Sequence, residues 1–197
     1  MAQKQLRSVE TEQSLVRATM QLCAIKDPDH ITIREICSAA GVSVGAFYHH
    51  FETKHELFSH IFKSFDAALN AHMAQSCTKK EPLDALTSLL LYQVTFVSQE
   101  AAAALSHHFC ALLKDPSHAA VDPNRTYYRY TAECVQRLAD ADLLRPDCAP
   151  HKIADLCICF VRGLLIDWAL HDHDYDIIER VRTMLPILYR GFLKDAN

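Results

Sequence analysis

Apolar residues recur along almost the whole chain at the three- and four-residue spacing of amphipathic helices. In the clearest stretch, Ile33, Ile36, Cys37 and Ala40 fall on one helical face. Prolines and short polar runs separate such stretches, and the 197 residues include only four glycines. The pattern therefore predicts an all-α fold of about nine helices.

The sequence predicts two short helices joined by a tight turn between residues 32 and 49. Thr32, followed three residues later by Glu35, is the pattern of a capping box at a helix start. Gly41 can adopt the left-handed conformation that ends a helix, and Ser43 can cap a second helix over Val44–His49. Two helices in this arrangement, the second with small side chains facing outward, fit the major groove of DNA.

Residues 31–58 resemble the N-terminal signature of the TetR family of bacterial transcription regulators. The matching positions include the turn and continue past it; they are Thr32, Ile36, Ala40, Gly41, Val42, Ser43, Gly45, Ala46, Phe47, Tyr48, His50, Phe51, Lys54 and Leu57. The resemblance covers about the first third of the chain. It implies an all-helical homodimer, in which a conserved DNA-binding domain precedes a variable domain that binds a ligand.

The resemblance predicts an N-terminal helix-turn-helix domain of three helices over residues 1–53. A C-terminal helical domain for ligand binding and dimerisation is expected over residues 54–197. A long helix predicted over residues 54–75, opened by the cap pattern of Thr53 and Glu56, connects the two domains.

Nine residues are expected to contact a double-stranded DNA operator. The second short helix has no Arg, Asn or Gln to pair with a base, so Val44 and Ala46 would touch thymine methyl groups. Arg34 could reach the DNA from the preceding helix, while Tyr48 and Lys54 look like phosphate contacts. Many relatives carry Lys where Val44 stands, a departure that removes one such contact. The full set is Thr32, Arg34, Ser43, Val44, Gly45, Ala46, Tyr48, His49 and Lys54.

The charge balance departs from the basic surface that DNA-binding domains usually carry. Residues 1–65 contain seven Lys or Arg and seven Asp or Glu, while the remainder contains thirteen and seventeen, which gives the net charge of −4. Any basic footprint must therefore be local. Lys4 and Arg7 could extend it as an arm in the minor groove, or could belong to a disordered terminus.

The last two predicted helices carry the features of a dimer interface. The helix over residues 151–170 is apolar on nearly every side, so one face needs a partner beyond its own core. The helix over residues 176–193 has one apolar stripe, and Pro186 is expected to kink it. The TetR resemblance also implies a dimer contact in these helices. The expected interface residues are Leu156, Cys159, Leu164, Trp168, Val181, Leu185, Leu188 and Phe192.

Aromatic residues in the second domain indicate a pocket between helices, because such pockets combine aromatic walls with a few polar groups. Each of these residues could equally belong to an ordinary core. The residues expected to bind an unidentified small-molecule effector are Tyr92, Phe96, His108, Phe109, Tyr127, Tyr130, Cys134 and Phe160. Together with the TetR resemblance, this candidate pocket predicts a repressor that an effector releases from a pseudo-palindromic operator.

Two alternatives remain open. His107 and Cys110 share a helical face and could bind zinc or copper, and a pair of cysteines could sense oxidation, which would change the effector but not the DNA mechanism. The second alternative is a helical enzyme or carrier with a vestigial DNA-binding domain, although no catalytic arrangement has a recognisable spacing. The run His171–Asp174 favours a solvated turn. No catalytic residue, metal site or cofactor is predicted.

Several bulk features are typical of a cytoplasmic protein without a membrane partner. Eight cysteines are scattered with no CxxC pair, which favours reduced thiols. The N-terminus is polar and lacks the apolar stretch of a signal peptide. The longest apolar runs are interrupted by Arg162 and Asp167, so none is long enough to span a membrane.

Overall fold

The computed structural model describes residues 2–23, 25–76, 80–114 and 121–195, and these residues confirm the all-α fold with nine α-helices. The helices are α1 (Ala2–Cys23), α2 (Ile33–Ala40), α3 (Val44–His50), α4 (Lys54–Ser76), α5 (Pro82–Phe96), α6 (Leu105–Lys114), α7 (Thr126–Asp140), α8 (Pro150–Leu170) and α9 (Ile177–Arg190). Within the described residues, no helix combines the length and the apolarity needed to cross a membrane.

Some helix boundaries differ from the predicted ones. Helix α9, predicted over residues 176–193, ends at Arg190. The segment between α5 and α6 is irregular, because Ala101 has a non-helical ψ of 6° that separates a π turn (Val97–Ala101) from a 3-10 turn (Ala102–Ala104). Only after these turns does α6 begin at Leu105.

The ends of α7 and α9 are tied to each other. Helix α7 stops at Asp140, and Asp142 just beyond it adopts a left-handed φ of 56°. The backbone N–H of Arg145 then donates to the carbonyl oxygen of Phe192 at 2.9 Å. The N–H of Lys194 donates to the carbonyl oxygen of Leu143 at 3.0 Å. The segment after α7 and the segment after α9 therefore pair as a short antiparallel bridge.

The chain forms two compact units. The first unit contains the residues up to Phe65 together with Glu100–Lys114, and the second contains Asp66–Gln99 and the residues from Asp115 onward. Helix α4 therefore contributes residues 54–65 to the first unit and its remaining residues to the second. The sequence placed the domain boundary at residue 53, whereas contacts group the start of α4 with the helices before it.

In the first unit, the core fixes α2 and α3 against α1 and the start of α4. Ile36 of α2 and Phe47 of α3 are completely buried, as are Leu15 and Leu57. Phe51 packs its ring against that of Phe47 with centroids 5.8 Å apart. These contacts anchor the inner face of each short helix and leave the outer faces exposed.

The core of the second unit is built from α5, α7, α8 and α9. Each of these helices supplies side chains that are almost completely buried within a single copy of the chain; examples are Leu86, Leu89, Leu90, Val94, Val135, Leu138, Cys157, Val161, Val181 and Leu185. Helix α9 continues across Pro186.

Candidate nucleic-acid interface

The start of α2 is fixed by the predicted capping box. The backbone N–H of Thr32 donates to Glu35 Oε2 at 2.8 Å, and the N–H of Glu35 donates to Thr32 Oγ1 at 3.2 Å. Lys26 Nζ donates to Glu35 Oε1 at 2.7 Å. The hydrogen bond from Lys26, together with those from Thr32, lowers the pKa of Glu35 from its usual 4.5 to about 2.

The turn between α2 and α3 also has its predicted geometry. Gly41 adopts a φ of 68°, a left-handed conformation that costs a residue without a side chain little. The N–H of Val42 donates to the carbonyl oxygen of Cys37 at 3.0 Å, which closes the end of α2. Ser43 Oγ accepts a hydrogen bond from the N–H of Ala46 at 3.1 Å and so caps α3, as the sequence predicted.

Helix α3 has one buried face and one exposed face. Phe47 is buried, while Val44, Gly45, Tyr48 and His49 are exposed, with 56% of Tyr48 accessible to solvent. An exposed apolar side chain and an exposed tyrosine on a rigid, capped helix form a surface that can meet base edges and phosphates.

The other predicted DNA contacts near this surface differ in their exposure. Thr32, Arg34 and Ser43 are exposed, and Ala46 is half-buried. Among the positively charged residues expected nearby, the side chains of Lys4 and Arg7 lie outside the described part of the chain. Their backbone belongs to α1 rather than to an extended arm.

Lys54 does not occupy the position expected of a phosphate contact. Its Nζ lies 2.9 Å from the carbonyl oxygen of Pro28, 3.2 Å from that of Asp29 and 3.0 Å from that of Ile31. An ammonium group has three N–H donors, and these three carbonyl oxygens engage all of them. The structure therefore corrects this assignment: Lys54 holds the start of α4 against the segment that leads into α2. The sequence missed this role because the acceptors are backbone atoms more than twenty residues away.

A cleft in the second unit has a volume of about 610 Å³ and includes one of the expected effector-binding residues in its lining. Of the predicted ligand-binding residues only Tyr92 lines it. The sequence analysis missed the other lining residues, since they form no motif; they are His72, Lys80, Asp84, Thr87, Ser88, Leu91 and Thr95.

The remaining predicted ligand-binding residues are dispersed. His108 and Phe109 belong to the first unit, so they do not join the others in one unit. In the second unit, Tyr127 and Cys134 are buried, whereas Phe160 is half-buried. Tyr130 donates a hydrogen bond to Asn70 Oδ1 at 3.1 Å, and the ring of Phe96 lies 6.5 Å from that of Tyr92.

The residues considered for metal or redox chemistry lie in different local environments. Among residues 2–23, 25–76, 80–114 and 121–195, no three His, Cys, Asp or Glu side chains are grouped to hold a metal ion. His107 Nδ1 lies 3.6 Å from Asp29 Oδ1, and its ring packs on Phe58 with centroids 4.6 Å apart. Cys157 is buried, and burial raises its pKa to about 12, whereas Cys159 is exposed on another side of α8.

The predicted dimer-interface residues separate into two groups. Leu164, Trp168, Val181, Leu185 and Phe192 are buried within a single chain, so the structure corrects their assignment: they pack in the core of the second unit. Leu156 and Cys159 are exposed, and Leu188 is half-buried. Apart from His151 and Asp155, the exposed positions on α8 follow a spacing of four and three residues, as on helices that pack along their length; they are Lys152, Leu156, Cys159, Gly163, Ile166 and Leu170.

Comparisons with known proteins agree with this geometry. Residues 15–61, which include α2 and α3, match the family described as bacterial regulatory proteins, tetR family. The HTH-type transcriptional regulator AcrR of Shigella flexneri is 23% identical over 193 residues, which cover 93% of this chain and 90% of AcrR.

Two solved structures share the fold along nearly the whole chain. Native NalD, the secondary repressor of the MexAB-OprM multidrug efflux pump in Pseudomonas aeruginosa, is 23% identical with a TM-score of 0.67, over 96% of this chain and 100% of NalD. A transcriptional regulator from Saccharomonospora viridis in complex with choline is 14% identical with a TM-score of 0.74, over 94% of this chain and 99% of that one. With the family match falling on the capped helix pair, residues 15–61 are the part of this chain that it shares with the tetR family of bacterial regulatory proteins.

Proposed function

We propose that this protein is a transcription repressor that binds a pseudo-palindromic DNA operator as a homodimer. The observation that carries the proposal is the exposed face of α3, opposite the buried Phe47, on a helix whose start is capped by Ser43. A helix presented in this way can enter the major groove, and two copies in a dimer would reach successive grooves on one side of the duplex.

Sequence selection by this helix relies on contacts other than paired hydrogen bonds. Val44 offers methyl groups to thymine, and Gly45 allows the backbone to come close to base edges. Arg34 on α2 supplies the nearby guanidinium, and Tyr48 and His49 supply donors for phosphate oxygens. We therefore expect an operator whose recognition depends on thymine methyl groups and groove shape.

The homodimer is proposed to form through α8 and α9. The exposed stripe on α8 contains Leu156, Ile166 and Leu170, and α9 adds the exposed Ile187. Apolar side chains in a continuous helical stripe are typical of a surface that another helix covers. A second copy of the chain would bring the same stripe to a twofold axis and hold the two α3 helices at a fixed separation.

A small molecule is proposed to release the repressor from DNA in the cytoplasm. NalD is described as a repressor of a multidrug efflux pump, and the S. viridis regulator was solved with choline, so relatives of this fold both repress genes and bind small molecules. Helix α4 contributes to both units, so an effector bound in the second unit can act on the DNA-binding unit through this helix. Coupling of about 1–3 kcal/mol between the two sites would be typical.

The decisive experiment is selection of genomic fragments by the purified full-length protein, followed by gel shifts of the selected operator with Tyr48 variants. Tyr48→Phe removes only the hydroxyl group, whereas Tyr48→Ala removes the whole exposed ring. We expect both to weaken binding and Tyr48→Ala to weaken it more. Tyr130→Phe, on α7 of the second unit, is the matched control. Absence of any selected fragment, with the protein folded and dimeric, would contradict the proposal and favour a carrier or an enzyme.

A further inference from the structure

The cleft of the second unit is formed by the second-unit part of α4 and the outward face of α5. Helix α5 turns Leu86 and Leu89 into the core, where both are completely buried. Its opposite face presents Asp84, Ser88 and Tyr92 to the cleft. The volume of about 610 Å³ lies within the range of cavities that hold drug-sized molecules.

Two stacked rings form the wall of this cleft. The imidazole of His72 and the ring of Tyr92 lie with centroids 4.1 Å apart and planes 19° from parallel. His72 Nε2 lies 3.2 Å from Ser88 Oγ, which fixes the orientation of the imidazole. Burial, with a further contribution from the charge of Lys80, lowers the pKa of His72, so the imidazole is neutral at pH 7. The wall is therefore flat, aromatic and uncharged.

An exposed positive charge, that of Lys80, also lines the cleft. Lys80 Nζ donates to Ser88 Oγ at 3.0 Å. In the part of the chain that the structure describes, no carboxylate oxygen lies within 4.0 Å of this ammonium group, so two of its N–H donors can serve a ligand. Asp84 also lines the cleft and is exposed, but it makes no ion pair with Lys80.

We propose that this cleft binds an organic anion with a flat apolar body, such as an aromatic carboxylate. Its acidic group accepts hydrogen bonds from Lys80 and Ser88, and its body packs beside the stacked rings of His72 and Tyr92. A charge-assisted hydrogen bond at one end and aromatic contact at the other would orient such a molecule in one direction. An organic cation would instead pair its charge with Asp84 and would be repelled by the ammonium group of Lys80.

The same cleft is suited to be the effector site, and this assignment rests on the proposed function, whereas ligand binding itself does not. His72 belongs to α4, the helix whose first residue is Lys54. A ligand that contacts both His72 and the α5 side chains would fix the second-unit part of α4. Its effect on operator affinity would then follow from a change in α4.

The binding test uses the full-length protein without DNA and 2-naphthoate as the probe. Calorimetry and the ring proton resonances of His72 report binding and its location. We expect saturable binding of 2-naphthoate, weaker binding of the uncharged 2-naphthalenemethanol, and the weakest binding of 2-naphthylmethylammonium. Preference for the ammonium compound, or no saturable binding of 2-naphthoate, would overturn the proposal.

Three variants test which residues of the cleft bind 2-naphthoate. Lys80→Met should weaken 2-naphthoate binding by about tenfold, which corresponds to about 1.4 kcal/mol, because it removes a hydrogen bond between two charged groups. Asp84→Asn should leave binding equal or tighter. Arg129→Met, which removes an exposed positive charge from α7, is the control and should leave it unchanged. Equal affinities for all three variants and the wild type would place the probe elsewhere and refute the site.

The operator experiment separates the two proposals. If 2-naphthoate binds in the cleft but leaves gel shifts unaffected, the site stands and its role as effector site fails. If no operator is found, the proposed function fails while the binding result is unaffected.

Discussion

The ammonium nitrogen of Lys54 lies 3.0 Å from the carbonyl oxygen of Ile31, so the first residue of α4 is bonded to the residue just before the N-cap of α2. Two more carbonyl oxygens, those of Pro28 and Asp29, complete its set of acceptors. The contact lies inside the first unit. It joins the start of the helix shared by both units to the helix pair that we propose binds DNA.

The first prediction follows from this contact. Lys54→Met removes the donor to three carbonyl oxygens, and we expect the free energy of unfolding to fall by about 1–3 kcal/mol in urea denaturation. The salt dependence of operator binding should keep the wild-type slope, because the three N–H donors of Lys54 are already engaged by carbonyl oxygens. A phosphate contact would instead reduce that slope by about 1. Arg129→Met is the control for loss of one positive charge.

The second prediction concerns the cap of α3. Ser43→Ala should lower the free energy of unfolding by about 1 kcal/mol, because it removes the acceptor for the N–H of Ala46. Ser43→Asp should restore the stability, since Asp is an equally good cap, but should weaken operator binding because its charge faces phosphate groups. Ser38→Ala, at an exposed position of α2, should change neither quantity. Equal operator affinity for Ser43→Asp and wild type would place this residue away from DNA.

The local structure of α2 and α3 in the first unit could be predicted from the sequence, because the residues that cap and end these helices lie within a few positions of one another. Thr32 with Glu35, the left-handed Gly41 and the cap at Ser43 each act across one helical turn. The long-range contacts could not be predicted in this way. The stack of His72 on Tyr92 and the carbonyl acceptors of Lys54 join segments twenty or more residues apart, and no periodic pattern records such pairs.

The predicted interface shows the same limit. Helical periodicity identified an apolar stripe on α9 but not which surface covers it. Val181 and Leu185 are covered by the second unit's own core, and Phe192 is buried beyond the end of the helix. Leu156 and Leu170 of α8 are exposed in the folded chain and so are available to contact a partner. The sequence alone does not show which apolar side chains stay exposed after folding.

The third prediction is a dependence of stability on pH. Because the pKa of Glu35 is lowered from its usual 4.5 to about 2, the ionised carboxylate stabilises the folded state fully above pH 4.5. This contribution is lost as the pH falls from 4.5 toward 2. The difference in free energy of unfolding between wild type and Glu35→Gln should therefore shrink across that interval. Glu133→Gln, at an exposed position of α7, should show a difference from wild type that is small throughout. A constant difference for Glu35→Gln would contradict the ion pair with Lys26.

The fourth prediction tests the dimer surface through one exposed leucine. Leu170, 77% exposed at the end of α8, is replaced by lysine, and Leu113, 88% exposed near the end of α6, receives the same change as the control. We expect Leu170→Lys to raise the dimer dissociation constant at least about tenfold in sedimentation, because burying a leucine side chain is worth roughly 1.5–3 kcal/mol. Leu113→Lys should leave the dimer intact.

The alkylation rates of cysteines measure the exposure of the same α8 surface without altering the fold. Cys110 and Cys159 are both exposed in the single chain, but only Cys159 lies on the α8 stripe. In the wild-type dimer, iodoacetamide should modify Cys110 quickly and Cys159 slowly, as measured by mass spectrometry of peptides. In Leu170→Lys, Cys159 should approach the rate of Cys110. The buried Cys157, whose pKa burial raises to about 12, should stay unmodified in both proteins. Rapid modification of Cys159 in the wild-type protein at high concentration would show that this stripe faces solvent and that the dimer forms elsewhere.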